Sequence, residues 1–323
     1  MKQFLITFIA GFVIPASLLS SAIKAWEKES PSGYEDLIQI ETQIATTLDR
    51  TKQAVVSIET SDGAGSGVIV SADGLVLTAA HVIGERGKKL TVTLHDGKKI
   101  SALSLGGSVF SDAGMLRMDT NETFGFASLA EVKESKLGDW CYALGHPNGF
   151  NESRGQVLRV GRIIGKQDET MQTDCRLLGG DSGGPLFNLK GQVIGIHSRI
   201  SQLPDENFHI PTETFLSNWD FFMNEEFLSD KKLADGGFLG VASSWTKDGL
   251  TILAIVPQSP AEKYGLQKGD LLISIDGIAL DSREKLAIYV ATKPPGDSVV
   301  IEFQRDERTM SVKAPLISRN QKE

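Results

Sequence analysis

One serine in this chain sits in surroundings suited to nucleophilic chemistry. Ser182 lies in GGDSGGPL, residues 179–186, between a glycine-rich approach and a Gly-Gly-Pro exit. A nucleophilic hydroxyl needs exposure on a tight turn and backbone amides aimed at the oxygen that becomes negative; glycines allow both. The same composition also suits a plain turn in which the serine only caps the backbone. The partners separate these readings, because a serine hydroxyl is a weak nucleophile near neutral pH without a base, commonly a histidine oriented by a carboxylate. Of five histidines, only His81 ends a strand-like run, LTAAHVI, where small alanines leave room for an imidazole at a crowded cleft. Asp112, in SDAGMLRM, precedes an apolar strand and can be buried enough to orient His81, whereas Asp119 follows that strand. His95 lies beside a turn, and His146, His197 and His209 follow or flank strands, as core or pocket residues do. No two histidines have metal-ligand spacing, so neither a metal nor another cofactor is expected.

The elements that must hold these residues are short strands. Apolar runs at 55–60, 68–70, 75–78 and 90–94, then an Asp96-Gly97 turn into 98–105, continue at 115–118, 140–144, 157–164, 185–187 and 193–196. Many short strands with glycine-rich turns and no alternating helices indicate an antiparallel barrel or sandwich, ending near residue 210. Before it, Leu37, Ile38, Ile40, Ile44 and Leu48 recur at helical spacing. After it, Thr212 caps a helix through Phe222, and the charged stretch 225–235 reads as a linker. The expected organisation is 1–25 signal peptide or anchor, 26–50 helical segment, 51–224 catalytic unit, 225–235 linker, 236–316 second domain and 317–323 tail.

Composition agrees with a globular chain. With 323 residues, 41% hydrophobic and 23% charged, it is neither disordered nor collagenous and should divide into two or three domains. A formal charge of −8 without a basic stripe argues against a nucleic-acid partner. Two cysteines, Cys141 and Cys175, are too few for a disulfide scaffold and fit one bridge or two free thiols equally well.

Residues 1–25 begin with one lysine, continue as an apolar run and end in small residues, the order of a secretory signal. An uncleaved membrane anchor is the rival reading, although the run falls short of the ~20 residues that a span requires. Either way the chain is exported, to the periplasm or beyond.

Taken in order, TAAH with His81, Asp112 before its strand, and GDSGGP with Ser182 resemble the chymotrypsin-type serine endopeptidases. More narrowly, GSGVIVSADGLVLTAAHVI, LGHP, TDCRLLGGDSGGPL and FHIP resemble the HtrA or DegP-like proteases, from about residue 55 to 316. The resemblance implies a mainly β chain: a chymotrypsin-like double β-barrel followed by a small α+β PDZ-like domain. It further implies Ser182 as nucleophile, His81 as base, Asp112 as its orienting carboxylate, and the amides of Gly180 and Ser182 as the oxyanion hole.

Two residues depart from the family's pattern. Asp181 stands where HtrA sequences have asparagine, so it needs a cation, with Arg176 and Arg154 as candidates. Arg176, His197 and Arg199 are candidates for the substrate pocket, with a preference for an acidic or polar residue before the scissile bond. The alternative is that Arg176 only neutralises Asp181 or Asp174.

In the second domain, Phe238, Leu239, Gly240 and Val241 open a unit that resembles a PDZ domain. The family's loop offers amides to a C-terminal carboxylate while the peptide adds to a strand. The function implied is a serine endopeptidase acting on unfolded or damaged polypeptides, with peptide C-termini as PDZ partners and a homotrimer as assembly. The alternative is a catalytically silent, chaperone-like peptide binder.

Overall fold

In the computed structural model, residues 24–61, 63–131, 135–167, 170–200 and 206–319 are described. Most of the proposed signal, residues 1–23, lies outside them. A 3-10 turn at Ala25–Glu27 leads into helix α1 (Tyr34–Ala54), somewhat later than its apolar spacing suggests. Lys28 and the amide of Ser32 both bind the Asp36 carboxylate in the first turn. Ile40 and Ile44 face inward, and the Thr47 and Thr51 hydroxyls meet the buried hydroxyl of Tyr142 at 3.1 and 3.3 Å. The helix thus docks on the second barrel before the chain enters the first.

The first barrel contains β1 (Val55–Glu59), β2 (Ala64–Ile69), β3 (Leu75–Ala79), β4 (Lys89–Thr93), β5 (Lys99–Ser108) and β6 (Ala113–Met118). The strands follow the order β5-β4-β1-β2-β3-β6 and close through β5 and β6. Helix α2 (Ala80–Ile83) continues directly from β3. The second barrel closes in the order β10-β11-β12-β9-β8-β7, from β7 (Trp140–Gly145), β8 (Val157–Gln167), β9 (Thr170–Thr173), β10 (Pro185–Asn188), β11 (Val193–Ile200) and β12 (Asn207–Pro211). One continuous apolar core runs from Val55, Leu77 and Met115 to Tyr142, Phe187 and Ile196. Burial on that scale supplies the main stabilisation of the pair of barrels.

Two short helices follow, α3 (Thr212–Ser217) and α4 (Trp219–Met223). The stretch read as a linker is built differently. Its β13 (Phe227–Leu228) pairs in parallel with Gly107 and Ser108 of β5, and α5 (Asp230–Asp235) comes next. Phe227 and Leu228 are both buried, so two apolar side chains suffice to pin the segment to the first barrel.

The C-terminal unit starts with β14 (Gly237–Phe238), paired to β21 (Ile317–Ser318). Strands β15 (Val241–Thr246), β16 (Gly249–Ile255), β17 (Leu271–Ile275), β19 (Ser298–Arg305) and β20 (Arg308–Pro315) form one antiparallel sheet, with β18 (Ile278–Ala279) attached to β17. Helices α6 (Pro260–Lys263) and α7 (Arg283–Thr292) complete a separate core of Leu250, Ile252, Leu272, Leu286, Val299 and Phe303. The architecture is the mainly β double barrel plus small α+β domain expected from the sequence.

Candidate active site

His81, Asp112 and Ser182 line one cleft of about 590 Å³ between the barrels, with Ala80, Leu177, Leu178, Gly179, Ser198, Arg199, Ile200 and Asp230 among its other walls. His81 is carried by α2, Asp112 by the turn from β5 to β6, and Ser182 by the loop before β10. The Nδ1 of His81 lies 2.9 Å from both carboxylate oxygens of Asp112, and the His81 amide donates to Oδ1 at 3.0 Å. The Asp112 carbonyl in turn accepts from the amide of Ala80 at 2.6 Å, so backbone and side chain tie the same two segments together.

A residue that the sequence did not single out completes this arrangement. Ser198 Oγ donates to Asp112 Oδ2 at 2.6 Å. The carbonyl of Ser198 accepts the Ser182 hydroxyl at 3.3 Å, which therefore points to β11 and not to His81. The Asp112 hydrogen bond raises the pKa of His81 against the opposing effect of burial. Burial pushes Asp112 upward, but its bonds from His81 and Ser198 outweigh that and hold it below the usual carboxylate range.

The loop holding Ser182 is fastened to both barrels. Ser66 of β2 donates its amide to the Ser182 carbonyl at 2.7 Å and its hydroxyl to the Gly180 carbonyl at 2.8 Å. A Cβ on Gly183 would lie 2.1 Å from Thr78 Oγ1 and 2.2 Å from the Ser66 carbonyl, so only glycine passes there. Gly180 has φ of +95°, which orients its amide, and no partner for the amides of Gly180 or Ser182 is found among the described residues.

Asp181 is fully buried, and the cation bonded to it is neither Arg176 nor Arg154, although Arg154 also lowers its carboxyl from a distance. Arg159 of β8 binds it with two nitrogens, at 2.8 and 3.0 Å, and the Leu178 amide adds a third bond at 2.8 Å. Burial still raises the Asp181 carboxyl, with Arg159 drawing it back in part. Arg176 is exposed and lies outside the lining of the cleft, because its neighbours Cys175 and Leu177 take the inward positions. His197 borders the cleft but carries no charge into it. Its ring is buried between the Leu144 carbonyl, at 3.2 Å, and His209 Nδ1, at 3.0 Å, and burial holds its pKa well below normal. Arg199 does border the cleft, but its guanidinium lies over Phe208, which lines a neighbouring pocket.

Comparison with known proteins fits this geometry. Residues 65–196 match the trypsin-like peptidase domain family, and residues 237–316 match the PDZ domain family. The chain belongs to the HtrA/DegP-like serine proteases. It is 31% identical over 75% of its length to a probable periplasmic serine endoprotease of Halomonas elongata, of which it covers 54%. It is 32% identical over 78% of its length to a counterpart from Ectopseudomonas mendocina, of which it covers 56%. The chain thus spans about half the length of the curated relatives it matches. Among solved structures, the HtrA-type protease AlgW with a tripeptide superposes with a TM-score of 0.59 at 26% identity, covering 85% of this chain and 97% of that one.

The PDZ part of this HtrA-like chain has its own groove, of about 480 Å³. Phe238, Leu239, Gly240 and Val241 line it with Leu286, Ala287 and Val290 of α7, and Phe110 of the first barrel borders it as well. Among the described residues strand β15 pairs with β16 alone, which places it at the edge of its sheet beside the groove. Outside these sites, Cys141 and Cys175 are free and buried; the Cys175 thiol donates to the Arg159 carbonyl at 3.8 Å, and the neighbouring Cys175 together with burial pushes the Cys141 thiol up.

Proposed function

We propose that the chain is an exported serine endopeptidase that hydrolyses peptide bonds of unfolded or damaged polypeptides. The observation that carries this reading is the shared cleft in which His81 is bound to Asp112 next to the glycine-framed Ser182. Turned towards His81, the Ser182 hydroxyl attacks the scissile carbonyl carbon while Nε2 of His81 takes its proton. The negative oxygen meets the free amides of Gly180 and Ser182, each such donor being worth on the order of 10² to 10³ in rate. His81 then returns the proton to the leaving amine, and water, deprotonated by the same histidine, releases the acyl group. Asp112 holds the imidazole tautomer throughout.

The groove of Phe238, Leu239, Gly240 and Val241 captures peptide C-termini, with the peptide adding to β15 as a further strand. The likeness of the relatives named periplasmic supports export to that compartment, and the exposed Tyr34, Leu37 and Ile38 at the start of α1 suit a homotrimer contact. Arg199, the cationic residue among the three pocket candidates that borders the cleft, favours acidic or polar residues near the scissile bond. A fluorophosphonate probe tests the assignment. Wild type should be labelled and Ser182→Ala should not; folded wild type that stays unlabelled, with C-terminal peptide added, sinks it.

A further inference from the structure

The turn that carries Asp112 is held from two domains. Phe110, Ser111 and Asp112 follow one another, and each has a different partner. Asp112 faces His81 and Ser198 in the cleft. Ser111 directs its hydroxyl the opposite way, onto Oε1 of Glu284 in the first turn of α7. Phe110 lies under the guanidinium of Arg283, the residue before Glu284, at 4.6 Å. The second oxygen of Glu284 accepts from Nδ2 of Asn218 at 3.0 Å, and that nitrogen also donates to the Thr214 carbonyl at 2.9 Å. Glu284 has no exposed surface.

A carboxylate buried at a domain contact is costly unless its oxygens are bonded, and an apolar pair would hold two domains together as well. Leu228, Ile288 and Ala291, with Phe221 and Leu233, already form such an apolar seam. What Glu284 adds is direction, because it fixes one hydroxyl next to Asp112. Asp112 has φ of +62°. Aspartate tolerates that left-handed region better than most residues, yet it stays there only where its surroundings over-determine it.

We propose that Glu284 is a positioning residue for the catalytic Asp112, acting through the Ser111 hydroxyl to fix the backbone from which Asp112 addresses His81. The inference rests on the hydrolase reading above, and it makes the second domain part of the catalytic apparatus. Releasing the clamp loosens Asp112 and with it the bond that keeps His81 basic. The rest of the cleft wall, Leu177 to Gly179 with Arg199 and Ile200, makes no bond to Ser111 or Asp112 among the described residues, so kcat falls while KM stays. Besides Asp112, the charged groups bordering the cleft are Arg199 of β11 and Asp230 of α5, with neutral His197 behind, and none of them changes in the variants.

The test uses the full chain as wild type, Ser111→Ala, Ser111→Thr, Glu284→Gln and Leu233→Ala. The readouts are kcat and KM on an unstructured peptide and the imidazole titration of His81 by nitrogen-15 NMR. Ser111→Ala and Glu284→Gln should lower kcat about 10-fold with KM within about 2-fold, and move the His81 midpoint to lower pH. Ser111→Thr should restore both, and Leu233→Ala, which loosens the same seam without the clamp, should change neither. A His81 midpoint in Ser111→Ala equal to that of wild type overturns the proposal, whatever the rates. Should Glu284→Gln not fold, the Ser111 pair decides alone. A wild type that cleaves nothing and takes no fluorophosphonate defeats the hydrolase reading, while the titration still judges the clamp.

Discussion

Ser198 donates its hydroxyl to Asp112 at 2.6 Å, so the carboxylate that orients His81 is shared with a residue on the opposite barrel. Ser198→Ala removes a charge-assisted bond and leaves Oδ2 of Asp112 short of a donor. The expected result is a fall in kcat of about 10-fold with little change in KM, since net bonds to charged groups are worth roughly 1.5–3 kcal/mol. Steady-state kinetics on a peptide substrate checks it.

The pH profile follows from the His81–Asp112 bond. A base must be neutral to accept the Ser182 proton, and the bond raises His81 above its ordinary 6.5. Activity therefore falls as pH drops through that raised value, and the acid limb of kcat/KM lies above 6.5. Asp112→Asn should move the limb down and lower kcat by about 10⁴-fold, the scale of losing tautomer control. A limb unmoved in Asp112→Asn would mean that another group sets it.

The buried Arg159–Asp181 pair makes an asymmetric prediction. Arg159→Met leaves Asp181 buried without its cation and should cost roughly 3–5 kcal/mol in denaturant unfolding. Adding Asp181→Asn to it should recover most of that loss, because the asparagine brings no charge. If the double variant is no more stable than Arg159→Met, the pair is not what Arg159 is for.

Acid stability should depend on His146. It is 1% exposed, both ring nitrogens are without a partner among the described residues, and burial, with Arg154 nearby, pushes its pKa down to about 4. Its folded value is below its unfolded one, so the unfolded chain binds the extra proton. Stability is lost as pH falls below 6.5 towards 4, by up to about 1.4 kcal/mol per unit. His146→Phe should be near neutral at pH 7 and should flatten that acid loss in urea unfolding between pH 7 and 4.

How much of this could be read from the sequence depends on whether a residue belongs to a pattern. His81, Asp112 and Ser182 were legible because each sits in a local motif and the three occur in a fixed order. Ser66 lay within a motif, GSG, but its hydroxyl donates to the Gly180 carbonyl at 2.8 Å and accepts from the His146 amide at 2.9 Å, partners 114 and 80 positions away in the chain. Ser198 and Arg159 carry no local mark, since one serine or arginine on a strand is ordinary. Arg176 was placed in the pocket by the family resemblance at its position before Ser182, but the alternation of buried Cys175 and Leu177 turns it outward. The segment 225–235 looked like a linker because its charge hides two apolar residues whose burial depends on β5. Glu284 was illegible for the same reason: it is one acid among many until the fold brings Ser111 and Asn218 to it.

The most direct measurement is cleavage of casein by the wild-type chain and by Ser182→Ala, each with and without a peptide bearing a free apolar C-terminus. The account predicts fragments from wild type and none from Ser182→Ala under either condition. Equal cleavage by both proteins, or none by folded wild type under either condition, would contradict it.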